Sequence, residues 1–214
     1  MKRKREKPSI DETARRLSAV ILAGGKSSRF GRDKSTLELE GKSVLAGLVE
    51  TLRAFPFRRL VWVRAPGKGA AAPEGVEALE DEREGMGPMG GILTALHCLS
   101  GGVLVAACDM PLVSRGFLRW LLGQYDPGAE AVVPRHGGGI EPLLGIYAQS
   151  IVPRMEAAVE TDRFALHLLL EQAATRFVEV PDEFSPAREF ANINTPEDYK
   201  RILKMAEKKN KGNK

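Results

Sequence analysis

Apolar residues fall into short blocks along the chain, and the spacing within each block changes. Leu17–Leu22 is a nearly unbroken apolar run rich in β-branched residues, closed by Gly24-Gly25, which predicts a buried strand. In Ser43–Phe55 the apolar positions Val44, Leu45, Leu48, Val49 and Leu52 lie on one helical face, and Pro56 closes the segment. Further strands are predicted at Arg59–Val63, Val76–Leu79, Gly102–Ala107, Ala131–Val133 and Phe177–Val180, with Pro142–Tyr147 extended. Gly85–Gly91 reads as a glycine-rich turn opening a helix to Leu99, and Ser114 as the N-cap of a helix through Leu122. Helices are predicted at Ser150–Glu160 and Arg163–Gln172. A last helix starts at Thr195, with Pro196 at its first position and Glu197-Asp198 in its first turn. Strand and helix alternate at βαβ spacing from residue 17 to about 133. The expected fold is therefore a single-domain α/β, Rossmann-like, mostly parallel sheet flanked by helices, with a more mixed second half.

Charge changes this picture only at the ends. The 214 residues carry a formal +4, which by itself suggests a polyanion partner. Residues 1–16, however, hold seven bases against three acids, and residues 200–214 hold seven against one. The body between them is acidic, so a basic groove for nucleic acid is not expected. Residues 1–16 and 204–214 read as basic tails, solvated and with a helix starting at Asp11, around a domain spanning 17–203. No run approaches the roughly 18 apolar residues of a membrane span. LSAVILAGG after a basic start imitates a secretion signal, but its apolar core is short and Lys26, Arg29 and Arg32 follow at once. Cys98 and Cys108 form no disulfide framework, so a cytoplasmic location is the default expectation.

The segment richest in chemistry is LAGGKSSRFGRDK, Leu22–Lys34. It leaves the first strand at its carboxyl end, where open α/β sheets place ligands. Its glycines let backbone N–H groups approach an anion, and Lys26, Arg29, Arg32 and Lys34 lie close by in sequence. A phosphate chain calls for that combination, although a basic surface turn has the same composition. It is neither a P-loop, because Val20 occupies the leading glycine position, nor the dinucleotide fingerprint G-x-G-x-x-G. His97, His136 and His167 read as ordinary core or surface histidines, and no Ser-His-Asp or Cys-His constellation is visible.

The ordered pattern L-A-G-G-x-S-x-R-x-G-x-D-K resembles the signature of the molybdenum cofactor guanylyltransferase family, small nucleotidyltransferases with the sugar-nucleotide-transferase type of fold. Gly87–Ile92 (GPMGGI), Ala107–Val113 (ACDMPLV) and Phe190–Tyr199 (FANINTPEDY) match three later family segments in order. The resemblance implies transfer of GMP from GTP to the phosphate of a molybdopterin-type acceptor, with release of pyrophosphate. That reaction needs alignment and charge neutralisation rather than a protein nucleophile.

By the same resemblance, Lys34, Arg29 and Asp109 serve catalysis, Asp109 holding Mg²⁺ at the end of the Gly102–Ala107 strand. Leu22, Ala23, Gly24, Gly25, Lys34, Asp81, Gly87, Pro88, Gly90 and Asp109 face the nucleotide, with Glu80 or Glu82 as alternatives to Asp81. Glu141, Asn192 and Asn194 face the acceptor, although turn formation and helix capping also explain the two asparagines. Gly24 favours GTP, because cytosine-selecting relatives tend to carry L-A-A-G. Arg64 stands where the family often has a nucleotide-contacting Asn, and Met89 stands for a commoner Leu. A CTP-using or sugar- or polyol-phosphate relative, and a non-catalytic maturation factor for molybdoenzymes, are the alternatives. Molybdoenzymes or their chaperones are the expected partners.

Overall fold

A computed structural model describes residues 7–23, 36–67, 71–81 and 85–212 of the chain. Its centre is a sheet in the order β10-β7-β9-β6-β1-β4-β5. The strands are β1 (Leu17–Leu22), β4 (Leu60–Arg64), β5 (Glu77–Glu80), β6 (Gly102–Ala107), β7 (Ala131–His136), β9 (Leu144–Tyr147) and β10 (Thr175–Glu179). A short β8 (Gly139–Ile140) pairs with β7, and β2 (Glu38–Leu39) with β3 (Lys42–Ser43) forms a separate hairpin.

β1 lies between β4 and β6, parallel to both, and all six of its residues are buried. Its side chains alternate between two apolar layers. Leu17, Ala19 and Ile21 join the layer containing α2 (Val44–Leu52) and α4 (Arg115–Gly123). Val20 and Leu22 join the opposite layer, with α3 (Pro88–Cys98), α5 (Val152–Glu160) and α6 (Leu166–Gln172). A strand covered on both sides needs apolar residues at every register, which is why its sequence is a run rather than an alternation. Burying each Leu, Ile or Val contributes roughly 1.5–3 kcal/mol, so this doubly covered strand anchors the domain.

The mixed character of the second half has one source. β9 is antiparallel to both β6 and β7, while β10 is parallel to β7. This reversal brings the residues just before β9 to the carboxyl edge of β6: the Ala107 N–H donates to the Leu143 carbonyl at 2.9 Å.

Several boundaries differ from the sequence expectation. The amino-terminal tail is only partly a tail, because α1 (Ile10–Arg16) buries Thr13 and Ala14. A capping box starts it: Ser9 Oγ accepts from Glu12 N–H, and the Glu12 carboxylate accepts from Ser9 N–H at 2.8 Å. Those bonds hold the Glu12 carboxyl below its ordinary range. At the other end α8 (Pro196–Gly212) runs past residue 203 and buries Ala206. The β2–β3 hairpin, α7 (Pro186–Glu189) and β8 were not predicted, being too short to show a period. The hairpin turns through Glu40 and Gly41 at φ 54° and 76°, as a two-residue hairpin loop requires.

Candidate active site

The carboxyl ends of the parallel strands meet at one edge. On its first side lie Leu22 and Ala23 after β1, Arg64 at the end of β4, and Asp81 after β5. Ladder bonds continue past the strands and fix their relative heights. Ala23 N–H donates to the Val63 carbonyl (2.8 Å), Asp81 N–H to the Arg64 carbonyl (2.7 Å) and Cys108 N–H to the Leu22 carbonyl (2.9 Å).

α3 packs its first turns against this edge. Gly87 precedes it at φ 58° without a side-chain cap, Pro88 occupies its first turn, and Gly90 is buried. Gly91 faces the strand ends: a Cβ there would lie 3.1 Å from Leu22 Cδ2 and 3.7 Å from Asp81 Oδ2. One turn on, the buried Thr94 hydroxyl donates to Asp81 Oδ1 at 3.1 Å. Asp81 is therefore the member of the acidic cluster that α3 seats. Glu80, the last residue of β5, instead lies 3.9 Å from Arg64, and Glu82 lies outside the described residues. The Arg64 guanidinium also sits over the Trp62 ring, 5.6 Å from its centroid.

The second side is built around Asp109, two residues past β6. Its carbonyl accepts from Ile193 N–H at 2.9 Å, which fastens the Phe190–Thr195 segment to it. Glu141 arrives from the β8–β9 connection, its N–H bonded to the Pro134 carbonyl at 2.9 Å. Burial, and secondly the nearby Asp109 carboxylate, push the Glu141 carboxyl up to about 7. The buried Tyr147 hydroxyl donates to the Pro142 carbonyl at 2.6 Å and pins the turn after Glu141. Burial, with Glu141 as the smaller cause, raises the Tyr147 phenol well above its ordinary value, so it stays a donor.

The two asparagines part company. Asn194 belongs to the start of α8: its N–H and that of Thr195 donate to Asp198 Oδ2, and Thr195 Oγ1 caps the Asp198 N–H. Those bonds hold the Asp198 carboxyl below its ordinary range. The Asn192 Oδ1, by contrast, is buried without a hydrogen-bond partner among the described residues. A buried orphan acceptor is a costly arrangement unless a cation or a donor completes it. Asp109, Glu141 and Asn192 thus offer hard oxygen donors of the kind Mg²⁺ takes. Among the described residues no group of three or more His, Cys, Asp and Glu stands close enough together to hold a metal ion.

Of the expected site residues, the structure gathers Leu22, Ala23, Asp81, Gly87, Pro88 and Gly90 on the first side. Asp109, Glu141 and Asn192 stand on the second. Gly24, Gly25, Arg29 and Lys34 lie outside the described residues. Sequence reading missed Thr94 and Tyr147. Gly91 and Thr94 share a helical face by their spacing of three, a usable signal, whereas Tyr147 carried none. A cavity of about 550 Å³ is bordered by Ser43, Lys42, Pro111, Ser114 and Arg188. It adjoins the segment following Asp109 but contains none of the expected nucleotide contacts. No helix among the described residues is long and apolar enough to cross a membrane.

The profile of a MobA-like NTP transferase domain matches residues 19–176. The molybdenum cofactor guanylyltransferase of Syntrophotalea carbinolica is 34% identical over 189 residues, covering 86% of this chain and 89% of that protein. The crystal structure of molybdopterin-guanine dinucleotide biosynthesis protein A from Archaeoglobus fulgidus superposes with a TM-score of 0.76 at 30% identity, covering 90% of this chain and all of that one. Rv0371c of Mycobacterium tuberculosis, crystallised with manganese, has a TM-score of 0.62 at 20% identity over 89% of this chain and 99% of its own, and shares the fold.

Proposed function

Because the chain belongs to the MobA-like NTP transferase family, we propose that it is a molybdenum cofactor guanylyltransferase, joining GMP from GTP to the phosphate of a molybdopterin-type acceptor. The observation that carries the reading is the meeting, at one sheet edge, of a seated Asp81 beside Leu22 and an Asp109–Glu141 pair whose Asp109 carbonyl is bonded to Ile193, the residue after Asn192. In the reaction an acceptor phosphate oxygen bonds to the α-phosphorus of GTP, and the bond from that phosphorus to the bridging oxygen of pyrophosphate breaks. The acceptor phosphate is already anionic at neutral pH, so no protein base is required.

The chain's work is placement. Leu22 and Ala23 present main-chain groups along the nucleotide, Asp81 receives its hydrogen-bond donors, and Lys34 and Arg29 neutralise the phosphates. Gly87, Pro88 and Gly90 line this wall at the start of α3, and Gly24 and Gly25 are assigned to the nucleotide as well. Asp109 is the carboxylate that would hold Mg²⁺, with Glu141 and the Asn192 carbonyl oxygen as neighbouring donors. The pair fits a cation because Glu141 is otherwise buried against a like charge. Mg²⁺, when bound, offsets the charge that builds on the phosphates during transfer. A cytoplasmic location and hand-over of the product to a molybdoenzyme or its chaperone belong to the same reading.

The test is direct. Purified protein with GTP, Mg²⁺ and molybdopterin-loaded acceptor is expected to form the guanine dinucleotide and release pyrophosphate. Absence of both products refutes the reading. A larger thermal shift with CTP than with GTP refutes the base assignment alone.

A further inference from the structure

His136 closes β7 at the same sheet edge, and nothing in the reaction as derived above uses it. Its imidazole is clamped. One face stacks on Phe190, with ring centroids 5.0 Å apart and planes at 26°. The Gly138 N–H donates to its Nδ1 at 3.0 Å. The turn folds so closely over the ring that a Cβ on Gly138 would fall 2.8 Å from Cε1, so a side chain there would displace the imidazole.

This clamp sets the tautomer as well as the rotamer. With Nδ1 accepting a backbone N–H, the neutral ring carries its proton on Nε2. Nε2 has no hydrogen-bond partner among the described residues. Its ring remains partly exposed. The surroundings tie it to the second side of the site. Phe190 stands two residues before Asn192 and three before Ile193, whose N–H is bonded to the Asp109 carbonyl. Across the β7–β8 hairpin His136 pairs with Gly139, two residues before Glu141.

We propose that His136 is an acceptor-binding residue whose Nε2–H donates a hydrogen bond to an anionic oxygen of the acceptor's phosphate; the assignment rests on the guanylyl-transfer reading. A neutral imidazole donor suits this task, because it orients the oxygen while leaving its negative charge available for attack on phosphorus. An ionised Asp109 carboxylate cannot donate to an anion, so a hydrogen-bond donor on the second side serves to receive one.

The test separates acceptor from nucleotide. His136→Phe keeps an aromatic ring on Phe190 and removes both nitrogens. It is expected to raise the acceptor KM about tenfold, the size of one hydrogen bond to a charged group, with the GTP KM changed less than about twofold. His136→Gln, whose amide N–H reaches the Nε2 position, is expected to recover most of the loss. In the wild-type protein the His136 Cε1–H resonance is expected to shift on adding the molybdopterin acceptor and to stay in place on adding GTP. An unchanged acceptor KM in His136→Phe, equal rises in both KM values, or a resonance that ignores the acceptor would each overturn the assignment. If the wild-type protein transfers no GMP at all, the underlying reaction reading fails instead, and it fails before any variant is made.

Discussion

The two sides of the sheet edge are built in different ways. The first side is made of consecutive strand ends, all parallel, tied by main-chain bonds from Ala23 to Val63 and from Asp81 to Arg64. The Asp81 carboxylate on this side accepts a hydrogen bond from Thr94 of α3. The second side is made of side chains collected from positions 109, 136, 141 and 192, and it exists only because β9 runs backwards between β6 and β7. Main-chain walls tolerate side-chain change, whereas a carboxylate pair brought together from two separate segments does not. The first side is thus expected to govern nucleotide affinity, and the second the chemical step and the acceptor.

The contrast can be broken most sharply at Asp109. Asp109→Ala is expected to lower transfer by about 10³-fold or more, the scale of losing a principal charge-stabilising group, while circular dichroism and melting stay near wild type. Turnover within tenfold of wild type would place the chemistry elsewhere. Next comes Gly91→Val, which drives a branched side chain into Leu22 and towards Asp81. Overpacking of this kind costs roughly 1–3 kcal/mol. GTP affinity measured by calorimetry is expected to fall more than acceptor affinity.

A smaller effect sharpens the same point. Thr94→Val keeps the helix packed and removes the hydroxyl that fixes Asp81. A rise of about tenfold in the GTP KM is expected, with kcat nearly unchanged and Thr94→Ser close to wild type. An effect on the acceptor KM alone would erase the division between the sides.

The smallest prediction concerns pH. The Glu141 carboxyl is pushed up to about 7 in the folded protein, above its ordinary 4.5. A carboxyl raised on folding carries no penalty below pH 4.5, a growing one between 4.5 and 7, and the full one above 7. In metal-free protein, Glu141→Gln is therefore expected to be more stable than wild type at pH 8 and equal to it at pH 4. Partial exposure of the group reduces the effect to about 1–2 kcal/mol, or a few degrees in melting temperature. Saturating Mg²⁺ is expected to shrink the difference, and an equal gain at both pH values would remove the electrostatic explanation.

Much of the architecture was legible from the residues alone. The apolar run Leu17–Leu22 announced a doubly covered strand, Gly102–Ala107 was located to the residue, and Ser114 marked its helix as an N-cap. Each of these is a local signal, carried by spacing or by one capping side chain. The ends were misread because charge density dominates there. Thr13, Ala14 and Ala206 are small residues among lysines and arginines, and only packing reveals that they are buried. Asp81 was marked by its place ahead of the glycine turn, but its seat on Thr94 was not, since a hydrogen bond between residues thirteen apart leaves no periodic trace.

What the sequence determined by itself is therefore the longer helices and strands and the phosphate loop's composition, because helix and strand periods and turn chemistry act over a few residues. Tertiary structure decided the direction of β9, the pairing of Glu141 with Asp109, the separate fates of Asn192 and Asn194, and the clamp on His136. The reason is physical: carboxylate repulsion, an orphaned amide oxygen and a ring stack depend on distances between segments that lie thirty to eighty residues apart in the chain. Those distances exist only after the hydrophobic layers on both faces of β1 have closed.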